Sequence, residues 1–268
     1  MNTKTEKIRK MKTSGILIVS VVLLFILSTA FLSLPNHTSK TGESRVTAGN
    51  GFVVLELFTS EGCSSCPAAD ELLARVQKEA GNKPVYVLSY HVDYWDRLGW
   101  RDKFSDAQFS KRQYQYSSLL SGEVYTPQVV INGRTECVGS DESTINKGVQ
   151  QGLSGAANST LAIEAKQATG NIAIGYQVTG NTSNDQLLIA VVQKHAVSKI
   201  MRGENEGRTL SHAQIVRKLY TFDLRKAAAG TEQISVPEGF NAQDWEIIGL
   251  VQNSRTGAIN AATRAAVN

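Results

Sequence analysis

The sequence predicts an α/β domain followed by a mostly-β, sandwich-like C-terminal domain, both carried behind an apolar N-terminal segment. Three observations lead there. Between about residues 52 and 155, short β-branched runs alternate with stretches of helical periodicity. From Leu161 onward, short apolar or alternating runs are separated by Gly, Asn, Thr and Ser turns, the pattern of antiparallel strands. Gly15 to Leu34 is nearly all apolar and carries no charge.

The N-terminus comes first in the chain. Net charge is +4, and Lys4, Lys7, Arg9, Lys10 and Lys12 against Glu6 account for all of it. The rest is neutral overall, so there is no basic footprint for nucleic acid. Residues 15–34 are long enough to span a bilayer and longer than the usual apolar stretch of a cleaved leader, and no clear Ala-x-Ala site follows. The expectation is a membrane anchor or export signal over 1–34, with its basic flank inside and everything after Leu34 outside the cytoplasm. Residues 35–51, rich in Thr, Ser, Gly and Asn, read as a tether.

The α/β domain is expected over 52–155. Phe52 to Phe58 has the composition of a buried strand, and Gly62 breaks it before Cys63-Ser64-Ser65-Cys66 opens a helix running to about Ala80. Pro67 suits the first helical turn. Amides of that turn point at whatever sits at its mouth, which favours a thiolate on Cys63. Pro84 to Ser89 is a second strand, leading into His91-Val92-Asp93-Tyr94-Trp95-Asp96. Ser105 with Gln108 reads as a capping box for a helix to Leu120. Thr126-Pro127 enters a strand that Asn132-Gly133 turns into a return strand over Arg134 to Val138, and Gly139-Ser140-Asp141 caps a last helix. The β-rich domain, 158–268, contains strands at Leu161–Gln167, Asn171–Val178, Gln186–Gln193 and Asp244–Gln252. Between them lies a charged run, Arg202 to Arg208, read as a solvated hairpin or an ion-pair patch between the domains, with docking of an anionic ligand or partner as the alternative.

In order and motif the first domain resembles thioredoxins and glutaredoxins. Thr126-Pro127 stands where those proteins carry a cis-proline facing the cysteine pair. The string from Glu56-Leu57-Phe58-Thr59-Ser60 through Cys63-Ser64-Ser65-Cys66-Pro67, then His91-Val92-Asp93-Tyr94-Trp95, is similar to an exported family, domain-of-unknown-function family 1223. The resemblance implies a thioredoxin-like fold and brings no settled substrate.

Only three cysteines occur, Cys63, Cys66 and Cys137, so the second Cys-x-x-Cys that structural zinc would want is absent. The expected function is thiol–disulfide exchange outside the cytoplasm on a protein or small-molecule thiol or disulfide, oxidoreductase chemistry that needs no cofactor. Cys63 attacks, Cys66 resolves, and Thr126 with Pro127 holds the substrate backbone. His91 at a strand end is either an acid/base group oriented by Asp93 or a hydrogen-bonded wall residue. Glu56 is either a buried relay to Cys66 or a solvent-facing alternation partner. Cys137 is either a second resolving thiol or a small buried hydrophobe. Two rival readings stand beside this one: soft-metal (copper) binding by Cys63, Cys66 and His91, and a non-catalytic exported binding protein in which the cysteines only staple the fold.

Overall fold

The computed structural model describes residues 51–157, 159–168, 170–180 and 182–265. Its backbone is an eight-stranded mixed sheet in the order β11-β10-β7-β8-β2-β1-β3-β4, with a three-stranded sheet β5-β6-β9 beside it. In chain order the strands are β1 (Val53–Thr59), β2 (Val85–His91), β3 (Gln128–Ile131), β4 (Thr135–Val138), β5 (Thr160–Ala168), β6 (Asn171–Thr179), β7 (Asp185–Lys199), β8 (Thr209–Asp223), β9 (Ala229–Ser235), β10 (Trp245–Asn253) and β11 (Ile259–Ala265). The helices are α1 (Cys66–Ala80), α2 (Ala107–Leu120) and α3 (Glu142–Ser154), with a 3-10 turn at Asp93–Leu98.

This overturns the expected separation into a thioredoxin-like α/β domain and a β sandwich. The molecule is mostly β, and strands from both halves of the chain share one sheet. The junction is made where β8 runs parallel to β2, with Ser89 opposite Ile215 and the Ser89 hydroxyl donating to the Ala213 carbonyl at 2.9 Å. The edge of β2, which a free-standing domain would leave open, is thereby engaged by β8 at this bridge. Sequence periodicity reports which face of a strand is buried and is silent on which strand lies beside it. No described helix is long and apolar enough to cross a membrane. Residues 15–34, on which the anchor was expected, lie outside the described residues.

Alternation on β1 explains how the layers form. Val53, Leu55 and Leu57 point to one face, where Ala69, Leu72, Leu73 and Val76 of α1 and Ile145 of α3 cover them. Val54 and Phe58 point to the other, joining Tyr90, Phe109 and Tyr116 with Leu188, Val192, Val216 and Ile248 from the second half of the chain. One apolar core thus spans both halves. At the far end, Ile163, Ile172, Ile174 and Ile234 of the small sheet pack on Leu187, Ile189, Val191 and Ile247.

Helix ends follow their caps. Asp106 begins α2 by accepting from the Gln108 amide at 2.8 Å, in place of the Ser105 capping box the sequence predicts. Asp141 begins α3 by accepting from Thr144. Asn132 and Gly133, at φ 49° and 63°, make the tight turn between β3 and β4.

Candidate functional site

The carboxyl ends of the parallel strands β1 and β2 converge on the mouth of α1, and the polar residues collect there. After β1 the chain turns at Ser60 to Gly62, with the Cys63 amide donating to the Ser60 carbonyl at 3.2 Å. Trp95 packs closely on Gly62: a Cβ there would lie a tight 3.3 Å from the Trp95 Cβ. Cys63 and Cys66 are joined as a disulfide, with Cα atoms 5.4 Å apart across the start of α1. Ser64 and Ser65 between them are exposed, whereas Cys63 is 1% and Cys66 0% exposed. The sulfur that the sequence casts as the attacking one is therefore covered.

Thr126 and Pro127 lie at the bridge. The peptide bond between them is cis, and the Thr126 carbonyl is 3.8 Å from the Cys63 sulfur. Trp95 holds the segment by donating its indole N–H to the Thr126 hydroxyl at 2.9 Å. Gly139 brings α1 and this segment together. A Cβ at Gly139 would stand 2.9 Å from both the Ala69 Cβ and the Pro127 Cβ, and its amide donates to the Pro127 carbonyl.

Behind the bridge is a buried charge cluster drawn from five segments. Asp70, one helical turn after Cys66 and so on the same face of α1, has a carboxylate oxygen 3.8 Å from His212 Nδ1 on β8. Glu61 lies 3.4 Å from His212 Nε2 and accepts from the Trp100 indole at 2.7 Å. Burial works against a charge on His212, but Asp70 and Glu61 on either side raise its pKa to about 9. Burial likewise pushes Glu61 up, and contacts with His212, Ser198 and Trp100 together outweigh this, leaving it below the usual carboxylate value. His91, fully buried at the end of β2, meets Asp102 at 2.6 Å through Nδ1, while its ring lies against Phe104 and His212. Its Nε2 has no hydrogen-bond partner.

Several sequence expectations change here. Asp93 does not orient His91: its carboxylate accepts from Ser110 at the start of the 3-10 turn, and Asp102 takes the orienting place. Glu56 is buried, but on the face of β1 opposite α1. There it is paired with Arg112 at 2.7 Å and accepts from the Tyr116 hydroxyl, so it does not serve Cys66. Cys137 is half-buried on β4, and burial pushes its thiol up to about 11, which suits a small hydrophobe rather than a resolving thiolate. Among the described residues no three or more His, Cys, Asp or Glu side chains are grouped so as to hold a metal ion. A cavity of about 380 Å³ lies elsewhere, beside Arg112, Tyr116, Gln186 and Gln252, and touches none of the site residues.

The sequence left unassigned the residues that cover the bridge. The tip of the β7–β8 hairpin, inside the charged run 202–208, folds over Cys63. Asn205, 1% exposed, donates its side-chain amide to the carbonyls of both Glu61 and Cys63 at 2.9 Å. Glu204 accepts from the Ser64 amide at 3.0 Å. Arg208 braces the tip by donating to Asn205 Oδ1 at 2.8 Å. The charged run was the visible signal, but nothing local says what its one amide side chain touches.

Comparison with known proteins adds a family and a structural likeness. A crystal structure of a structural-genomics target from Agrobacterium tumefaciens is 27% identical, with TM-score 0.60, covering 79% of this chain and 92% of that one. A domain of the outer membrane lipoprotein Omp28 from Porphyromonas gingivalis is 16% identical, with TM-score 0.24, covering 42% of this chain and 89% of its own. No functionally curated protein matches the chain. The family model described as protein of unknown function DUF1223 matches residues 54–252, from β1 through the cysteine bridge, the hairpin tip and β10, and the chain belongs to that family.

Proposed function

We propose that this chain carries out thiol–disulfide exchange at the Cys63–Cys66 bridge, outside the cytoplasm. The observation that carries the reading is the position of the bridge: at the mouth of α1, one sulfur 3.8 Å from the Thr126 carbonyl, with Ser64 and Ser65 facing solvent between the two cysteines. Amides at a helix start favour a thiolate over a thiol there. The export part rests on the basic tail and apolar segment at the N-terminus.

The chemistry balances with a dithiol partner. A thiolate of the partner attacks Cys63, the Cys63–Cys66 bond breaks, and Cys66 leaves as a thiolate that takes up a proton. The partner's second thiol, on losing its proton, attacks the partner sulfur of the mixed disulfide and expels Cys63. The partner gives up two electrons and becomes a disulfide; the pair becomes a dithiol. The same steps reversed reduce a partner disulfide. Asp70, one helical turn after Cys66 on the same face of α1, and its partner His212 on β8 are buried groups able to hold a proton for the departing sulfur.

Thiol trapping of the full chain across a series of dithiothreitol and glutathione buffers tests this. The expected result is a pair that moves between disulfide and dithiol with a measurable midpoint, and a Cys66→Ala variant that accumulates mixed disulfides through Cys63. The burial of both sulfurs favours a second reading, a bridge that only staples the fold. Under that reading the pair stays oxidised in every buffer that leaves the protein folded, and the double variant Cys63→Ala with Cys66→Ala loses stability alone.

A further inference from the structure

The hairpin tip does more than cover the bridge, because its two anchoring side chains touch the backbone that a reduced Cys63 would use. Ser64 is the first residue after Cys63 and precedes the Ser65 N-cap of α1, so its N–H belongs to the turn that presents the sulfur to the helix mouth. A thiolate on Cys63 draws on such amides for its stabilisation. In the oxidised protein that amide donates instead to the Glu204 carboxylate at 3.0 Å, and the contact holds the Glu204 carboxyl below its ordinary value. Asn205 fixes the same strap by donating to the Cys63 carbonyl. Two negative groups cannot share one amide, and a carboxylate beside a forming thiolate repels it.

We propose that Glu204 tunes the cysteine pair by competing with the Cys63 thiolate for the Ser64 amide, so that the closed hairpin favours the disulfide and reduction releases the tip. The inference rests on the exchange reading above and gives it a direction. A pair whose disulfide is favoured is, once reduced, a donor of electrons, so its substrates are disulfides of exported proteins. The reduced pair attacks such a bond, two electrons pass to the substrate sulfurs, and Cys63–Cys66 closes again beneath Asn205. A dithiol reductant must then restore the pair. Glu204 is a positioning residue in this scheme: it touches the amide and never the reacting sulfur.

The experiment measures the exchange equilibrium of the full-length wild type, Glu204→Gln and Arg202→Gln in dithiothreitol buffers, together with the pH dependence of Cys63 alkylation by iodoacetamide in the reduced proteins. For Glu204→Gln the expected results are an equilibrium moved three- to tenfold toward the dithiol, where tenfold is about 30 mV, and alkylation that sets in at lower pH. Arg202→Gln, a charge change on the same tip, leaves both unchanged. Rising ionic strength screens an exposed carboxylate, so salt makes the wild-type bridge easier to reduce and has little effect in Glu204→Gln; the wild-type salt series alone decides the matter should the variant fail to fold. Exchange in wild type with equal constants in Glu204→Gln overturns this inference and leaves the exchange reading intact. A pair inert to dithiothreitol in every folded variant overturns both.

Discussion

Asn205 stands 142 residues beyond Cys63 in the chain and donates its side-chain amide to the Cys63 carbonyl at 2.9 Å. The same NH2 group reaches the Glu61 carbonyl at 2.9 Å, so one buried side chain satisfies two carbonyls of the turn that presents the cysteines. Asn205→Ala removes both partners and leaves each carbonyl dry or newly wetted, at about 1–3 kcal/mol for each group left unsatisfied. The expected outcome in urea unfolding is a loss of roughly 2–4 kcal/mol by the same reasoning, with the bridge reduced several-fold faster by a small thiol in the still-folded protein. Reduction at the wild-type rate in a folded Asn205→Ala would remove the hairpin from any account of access to the bridge.

His212 gives the protein a pH signature. Its pKa in the folded state is about 9, raised by Asp70 and Glu61 against the opposing effect of burial, whereas an unfolded histidine titrates near ~6.5. Because the folded value is the higher one, the stabilisation is fully present below about pH 6.5 and disappears as pH rises through about 9, at roughly 1.4 kcal/mol per unit of difference. A stability profile from pH 6 to 10 is therefore expected to fall by up to about 3 kcal/mol from this residue. His212→Gln should be less stable at pH 6 and should lack that slope, and an identical slope in the variant would assign the titration elsewhere.

Gly139 is the residue that lets β4 and the Thr126-Pro127 segment approach α1. A methyl group there meets the Ala69 Cβ and the Pro127 Cβ at 2.9 Å and the Leu57 side chain at 3.1 Å. Two of the three neighbours are attached directly to backbone, so neither can swing aside. Gly139→Ala is expected to cost about 1–3 kcal/mol by overpacking and to move Thr126 away from Cys63. Thermal melting reads the first effect, and the rate of exchange with a peptide thiol relative to dithiothreitol reads the second.

What was legible in the sequence is local, and what was not is a matter of partners. The Cys63 to Pro67 signature, the Asp141 cap and the Asn132-Gly133 turn each depend on residues within four positions of one another, and each forms where the pattern puts it. Joining β8 to β2 depends on Ser89 meeting Ile215, and nothing in either strand's alternation encodes that neighbour. The same limit governs the site. His91 and Asp93 are close in sequence and were paired on that ground, yet a 3-10 turn carries Asp93 to Ser110 and leaves His91 to Asp102. Glu204 and Asn205 sit in a charged run whose composition suits solvent, and only the fold brings them to the helix mouth.

Glu56 offers the sharpest separation of a structural carboxylate from a catalytic one. It is fully buried and accepts from Arg112 Nε at 2.7 Å and from the Tyr116 hydroxyl, while Arg112 also donates to Gln252 on β10 at 3.1 Å. The network therefore ties β1 to α2 and to the second half of the chain on the face away from α1. Removing the Glu56 charge leaves buried Arg112, a residue 6% exposed, without a counter-ion, and breaking such a buried pair costs about 3–5 kcal/mol. Glu56→Gln is expected to lose much of that in denaturant unfolding. Removing both charges by Glu56→Gln with Arg112→Met is expected to be less damaging than the sum of the single changes, because neither partner is then left unpaired. Since the carboxylate lies on the opposite side of the sheet from Cys66, the exchange midpoint of the cysteine pair and its pH dependence should be those of wild type in any folded variant. A midpoint that moves in Glu56→Gln while the folded baseline is intact would return Glu56 to the role of a proton relay.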